Sequence, residues 1–247
     1  MLKIVIVIGG YNMAKVYLKK PTVNELGYRQ DLLEKRDDKN NFPENVWNQW
    51  AQKWLSDDKN YFYAYVKRKK DGMNVGEVSY YFDLKEGMPL VSVFIESLYR
   101  RNYYGQEAIS LLLDKCLQKQ KFDQVAVKFQ KDNEVLNKFF TKLGFKLYKE
   151  DDNFMFSKIT KDDYQIKKYI DEKGIIRKIP VSLKIRNRLV AYMATKFVFG
   201  QLYSDRAFLK IIADNSNSKD HKFFKQQLLE LGYITESYDK SKFERIK

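Results

Sequence analysis

Apolar and polar positions along this chain recur with two different periods, and each change of period marks a new element. From Val16, "VYLKKPTV" reads as a strand, followed by a helical pattern from Asn24 to about Arg36. "FPENVWNQWAQKWL" predicts a second helix, with Trp47, Trp50 and Trp54 at i, i+3, i+7 as a core-facing stripe. "YFYAYVKRKKDGMNVGEVSYYFDL" predicts two strands joined by a turn at Asp71-Gly72. "PLVSVFI" is almost wholly apolar, as a strand in the middle of a sheet should be. Gly105, Ala108, Ile109, Leu112, Leu113 and Cys116 form one apolar stripe, predicting a helix from Gly105 to Lys119. "DQVAVKFQ" is a further strand. "DNEVLNKFFTKLGF" is a short helix closed by Gly144 in the position that favours a left-handed residue. "FKLYKEDDNFMFSKI" supplies one or two last strands. This succession predicts an α+β domain with a mixed sheet.

Beyond Thr160 the pattern changes. Residues 161–174 read as a charged helical linker, and three helical stretches follow: "SLKIRNRLVAYMATKF", "SDRAFLKIIADN" and "SKDHKFFKQQLLELG". Ser204 and Ser218 are the expected N-caps of the second and third. "YITESYDKSKFERI" alternates around a turn and predicts a hairpin. Three helices followed by a hairpin is winged-helix order, so residues 175–247 are expected to form a winged-helix-like α+β domain.

Composition narrows the function classes. The 247 residues suffice for one or two cores, and 44% hydrophobic with 32% charged residues describes a globular chain. No apolar run approaches the roughly 20 residues of a membrane span, so no membrane partner is expected. The single cysteine, Cys116, cannot form an internal disulfide and points to a reducing, cytoplasmic setting; its place on an apolar stripe makes it a packed thiol. With one histidine, His221, zinc sites and histidine triads are disfavoured, and no metal is expected. The net charge of +14 fits polyanion binding, but also a lysine-rich composition of the kind A/T-rich codons produce. Residues 1–12 admit a reading as a translated leader with Met13 as the start, because Ile-Gly-Gly can encode a ribosome-binding sequence at a suitable spacing.

"VSVFIESLYRRNYYGQEAISLLL", "VAVKFQKDNEVLNKFFTKLGF" and the glycine of "NVGEV" together resemble the GNAT superfamily of N-acetyltransferases over about residues 14–160. The family's Arg/Gln-x-x-Gly-x-Gly/Ala turn falls on Arg100, Arg101, Asn102, Tyr103, Tyr104 and Gly105, followed by Gln106, with Tyr103 replacing the first glycine. The resemblance implies a GNAT-like mixed sheet flanked by helices, with acetyl-CoA as acyl donor. It further implies pantetheine paired to the strand edge at Phe94 and Ile95, and further cofactor contacts at Asn133 and Phe140. It also implies that the strand ending near Ile95 splays from Val125–Phe129 through a bulge. A turn that opens a helix independently offers unpaired N–H groups and a partial positive charge to a diphosphate. If Tyr103 is left-handed it costs roughly 1–2 kcal/mol; if its φ is negative the cost vanishes.

The acid–base chemistry departs from the family. Relatives carry a tyrosine where this chain has Phe140, seven residues after Asn133, and some carry a glutamate where it has Lys128. The remaining candidates are Glu96, acting through a water or simply a solvated strand-end carboxylate, and Tyr80 or Tyr81. A site without a strong base should favour an α-amino group, with pKa about 7.7–8.0, over lysine near 10.4. The acceptor is therefore expected to be a small-molecule amine or a protein N-terminus.

The C-terminal segment resembles a small bacterial domain of unknown function through "IP", "YSDRAFLKII" and "LLELGYI". Residues 161–247 carry 19 Lys+Arg against 11 Asp+Glu, a net +8. Lys219, Lys222 and Lys225 recur near one face of the expected third helix. That suits phosphate contacts with nucleic acid or an ordinary solvated face, and His221 reads as a surface or cap histidine. Two functions follow: an N-acetyltransferase, or an acetyl-CoA-binding module of weak catalysis whose C-terminal domain binds nucleic acid or protein.

Overall fold

The computed structural model describes residues 14–35, 42–56, 59–171, 173–217, 220–239 and 241–247. The possible leader, Met13, Ser218 and Lys219 therefore lie outside the described residues. The chain forms two compact units: one gathers the chain through Asn137 plus Phe145–Lys158, the other Lys138–Gly144 plus Ile159–Lys247.

In the first unit, β1 (Val16–Lys19) leads through a short 3₁₀ turn to α1 (Gly27–Glu34) and α2 (Trp47–Trp54). The strands β2 (Tyr61–Arg68), β3 (Asn74–Asp83) and β4 (Met88–Ile95) then run antiparallel in sequence. Gly72, at φ 72°, takes the left-handed position of the β2–β3 turn. Next come α3 (Tyr104–Leu113), β5 (Gln124–Gln130), α4 (Glu134–Lys142), β6 (Lys146–Glu150) and β7 (Phe154–Thr160). The seven-stranded sheet has the order β1-β2-β3-β4-β5-β7-β6, so apolar β4 sits at its centre as its sequence requires.

Strand alternation divides this sheet into two faces. Tyr63 meets Trp50 edge-on at 4.8 Å and Tyr65 meets Tyr28 at 5.0 Å, so α1 and α2 cover one face. Phe62 and Tyr80 point the other way, where Lys115 lies 4.4 Å from the Phe62 ring and Phe122 packs against Tyr80. The predicted stripe on α3 is buried as expected, but the α-helix ends at Leu113 and continues as a π-helical turn, Asp114–Lys119. The wider i→i+5 bonding, seen in Gln120 N–H to Lys115 O, lets consecutive Cys116 and Leu117 both turn fully inward. Burial pushes the Cys116 thiol well above its ordinary pKa.

In the second unit Gly144, at φ 90°, closes α4 in the predicted left-handed conformation. Thr160 caps α5 (Lys161–Lys167), and α6 (Leu183–Ala194), β8 (Leu202–Ser204), α7 (Asp205–Asn215), α8 (His221–Glu230), β9 (Ile234–Glu236) and β10 (Lys242–Arg245) follow. The expected hairpin is β9–β10, and short β8 extends it to a three-stranded antiparallel sheet of order β8-β10-β9. Phe197, Phe208, Phe224 and Phe243 centre the core, with Phe208 stacked on Phe243 at 4.3 Å. One expectation changes here. Residues 161–174 do not read as a linker, because Ile166 and neighbouring Ile176 are buried in this same core. Asp220 precedes α8 without a side-chain cap bond, the expected cap Ser218 lying outside the described residues, whereas Ser204 caps α7 as predicted, accepting from the Ala207 N–H.

Candidate active site

The turn between β4 and α3 is strained. Arg101 (φ 62°) and Tyr103 (φ 67°) are both left-handed, which for L side chains costs roughly 1–2 kcal/mol each. Asn102 stitches the turn from within, its amide donating to the carbonyls of Tyr99 and Arg100 at 3.3 and 3.2 Å. Tyr103 is the N-cap of α3 but supplies no side-chain cap, and its ring is 68% exposed. Among the described residues, no protein group accepts from the N–H groups of Asn102, Tyr103, Tyr104, Gly105 or Gln106. The start of α3 is thus a run of unpaired donors at the positive end of a helix. Glu107 turns away and accepts from Lys15 N–H at 2.9 Å and Val16 N–H at 3.3 Å, tying α3 to β1.

A second feature lies at the end of β4. Gly76 of β3 opposes Ile95, and a Cβ there would fall 2.1 Å from the Phe94 carbonyl oxygen, so only glycine permits this approach. The register is unbroken along β3–β4, without the bulge the family resemblance implies. β4 pairs in parallel with β5 at Leu90 and Ala126. Phe94 and Glu96 face the side covered by α1. There, Lys35, Phe94, Glu96, Ser97 and Arg100 line a cavity of about 470 Å³.

Glu96 is only 8% exposed, so it is not a solvated strand-end carboxylate. Its Oε1 accepts from the Tyr28 hydroxyl at 2.6 Å and its Oε2 from the Lys35 ammonium at 2.7 Å. Burial, then the bond to Glu96, raises the Tyr28 pKa well above the usual phenol, so Tyr28 keeps its proton. The bond to Glu96 raises Lys35 likewise. Arg100 curls back to donate Nε to the Ile95 carbonyl at 2.9 Å, its guanidinium 5.6 Å from the Phe94 ring. Alongside, Arg29 pairs with Glu77 at 3.1 Å and lies over Trp50, Tyr63 and Phe42 at 4.7, 5.0 and 5.2 Å, while the Tyr63 hydroxyl donates to Glu77.

The other expected residues scatter. Tyr80 is buried on the α3 face of the sheet, away from Glu96. Tyr81 has the right orientation but pairs with Leu90, four residues from Phe94, or roughly 13 Å along the strand. Neither tyrosine lines the cavity. Phe140 is buried within the second unit, and Asn133 caps α4 by accepting from the Leu136 N–H at 3.0 Å. Lys128 is exposed, 4.0 Å from the Phe154 ring. In the second unit Lys225 bonds Asp205 at 2.8 Å, which removes it from the expected row of phosphate contacts, while Lys222 is exposed. Sequence reasoning missed Tyr28, Lys35, Arg29 and Glu77. One signal was available: Tyr28, Leu32 and Lys35 recur at i, i+4, i+7, placing two polar residues in line with a fully buried leucine.

A family model for the acetyltransferase (GNAT) domain matches residues 15–146, more than half of the chain. The chain belongs to this acetyltransferase family. Among solved structures, it resembles apo FdhC, a nucleotide-linked sugar GNAT, at TM-score 0.54 and 19% identity, over 63% of this chain and 92% of that one. It also resembles the Vibrio cholerae spermidine N-acetyltransferase in complex with CoA and spermine, at TM-score 0.54 and 11% identity, over 61% of this chain and 98% of that one. At such identities these likenesses speak for the GNAT fold. No curated protein matches the chain. Among the described residues no helix is long and apolar enough to cross a membrane.

Proposed function

We propose that this GNAT member is an N-acetyltransferase that moves an acetyl group from acetyl-CoA to an amine. The observation that carries the proposal is the run of unpaired N–H groups from Asn102 to Gln106, held open by left-handed Arg101 and Tyr103 at the end of the strand that carries Glu96. A pyrophosphate suits those donors, and Arg101 adds charge. The end of β4 beyond its pairing with β5 at Leu90 suits pantetheine, with the thioester near Phe94.

Glu96 is the residue best placed to accept a proton from the acceptor ammonium. Tyr28 fixes one of its oxygens and leaves Oε2 facing the cavity, where an incoming ammonium can replace that of Lys35. A site whose proton acceptor is a carboxylate suits an amine of low pKa, whether a small molecule or a peptide N-terminus. In the second unit the order α6-β8-α7-α8-β9-β10 supports a winged-helix-like domain. Lys225 pairs with Asp205, which weakens the case for that domain reading nucleic acid.

The test has two parts. CoA should raise the melting temperature, and thiol release from acetyl-CoA should appear with an α-amine at neutral pH faster than with a lysine side chain. CoA binding without thiol release from any amine would favour the other reading, a coenzyme-binding module. That reading draws on buried Phe140 and surface Lys128, which supply neither the acid nor the base of other family members. An unmoved melting curve would overturn both.

A further inference from the structure

Lys35 is held in an unusual way for a lysine with a side chain 56% exposed. Its Nζ lies 2.7 Å from a carboxylate whose side chain is 10% exposed, and both residues line the cavity. The lysine side chain is open to solvent while the carboxylate is buried, so Lys35 can exchange with solvent although the paired state predominates. While it stays, it occupies the one Glu96 oxygen that Tyr28 leaves open. It is also a primary amine tethered beside the strand end where the thioester is placed above. Tethering gives such a nucleophile the advantage of an intramolecular reaction, worth many orders of magnitude over a free amine when the geometry is right.

We infer that Lys35 is an acetyl acceptor of its own domain, and that its acetylation uncovers Glu96 for external amines. The inference rests on the acetyltransferase reading and adds regulation to that same site. In the step, the Lys35 nitrogen attacks the thioester carbonyl carbon, the N–C bond forms and the C–S bond breaks. Of the two protons the ammonium loses, one passes to Glu96 and on to water, and the other to the departing thiolate. The resulting amide is uncharged and no longer pairs with the carboxylate, so Oε2 is open to the next ammonium.

The groups around Lys35 set the pace. Glu96 foremost, then Asp31 and Tyr99, hold its pKa above the ordinary lysine value, while Arg100 shares the cavity and Tyr28 the carboxylate. With the folded pKa raised, the ion pair is fully present below the unfolded lysine value and is lost only as pH rises through the folded one. Masking therefore persists throughout the neutral range, and self-acetylation is slow there. Its rate should climb with pH between about 7 and 9, as the neutral amine becomes available to a proton acceptor at Glu96.

The experiment incubates the full chain with isotopically labelled acetyl-CoA and follows incorporation by intact-mass and peptide mass spectrometry. Label should approach one acetyl group per chain, at Lys35, at a rate independent of protein concentration. In Glu96→Gln the loss of the proton acceptor should outweigh the larger share of neutral amine, so labelling should slow and its pH dependence change. Amine acetylation should show a lag that Lys35→Gln abolishes, because that variant lacks the masking charge, whereas Lys35→Arg should stay masked and slow. Label spread over surface lysines without preference for Lys35, or equal labelling in Glu96→Gln, overturns the inference. A rate proportional to protein concentration does so too. The same preparations are assayed for CoA-induced stabilisation and for thiol release with amines. If those succeed while Lys35 stays unlabelled, self-acetylation fails alone; if CoA does not bind, both readings fall.

Discussion

Two helices of this protein begin in opposite ways. At α7 the N-cap Ser204 is extended, with φ −66° and ψ 157°, and its hydroxyl accepts from the Ala207 N–H. At α3 the N-cap Tyr103 is left-handed, offers no side-chain acceptor, and follows a second left-handed residue two positions earlier. The first arrangement satisfies the helix locally and contributes about 1 kcal/mol. The second leaves donors unpaired and holds the backbone in a strained state, which persists only where surrounding structure over-determines it. Asn102 beneath the turn and Glu107 pinned to β1 are that surrounding structure. Lack of a side-chain cap is shared with α1, α2, α6 and α8; the left-handed N-cap is what sets α3 apart from α7. The difference is that Ser204 satisfies α7 from within, whereas α3 keeps donors that the proposed pyrophosphate would satisfy.

The strongest test of this contrast is chemical. Glu96→Gln should lower turnover about 10²- to 10⁴-fold, whereas Ser204→Ala should leave turnover per folded molecule unchanged; steady-state thiol release decides both. Next in size is ligand stabilisation. CoA at 100 times its dissociation constant should add about 2.7 kcal/mol to the unit carrying α3, or roughly 5–10 °C in its melting transition, with no comparable effect on the α7 unit. Ser204→Ala should cost about 1 kcal/mol in urea unfolding, whether or not CoA is present. Tyr103→Gly should do the reverse and stabilise the ligand-free protein by about 0.5–1 kcal/mol, as relief of left-handed strain exceeds the added chain entropy. A destabilised Tyr103→Gly would mean that the tyrosine contributes packing, through its contact with Lys15, beyond what its exposure suggests.

Much of this was legible in the residues. The period of apolar positions located the helices and strands because each pattern depends on near neighbours along the chain. Gly144 at the end of α4 and Ser204 at the start of α7 were legible for the same reason: a cap is decided within four residues. The turn ahead of α3 was legible from Gly105 and its flanking arginines, although not the backbone state of Tyr103, which both signs of φ could have satisfied. Short β8 and the π-helical end of α3 escaped because neither has a local signature long enough to read.

What the sequence determined by itself was the set of elements, the two-part organisation of helices and strands, and the place of the turn that opens α3. Tertiary structure alone decided which side chains share a site. Tyr28 and Lys35 reach Glu96 across 68 and 61 residues, and Tyr80 is turned away from it by sheet pairing. Periodicity fixes that alternate side chains point to opposite faces, but not which face a given helix covers. That choice belongs to strand register and to burial of whole surfaces, which sum over residues distant in the chain.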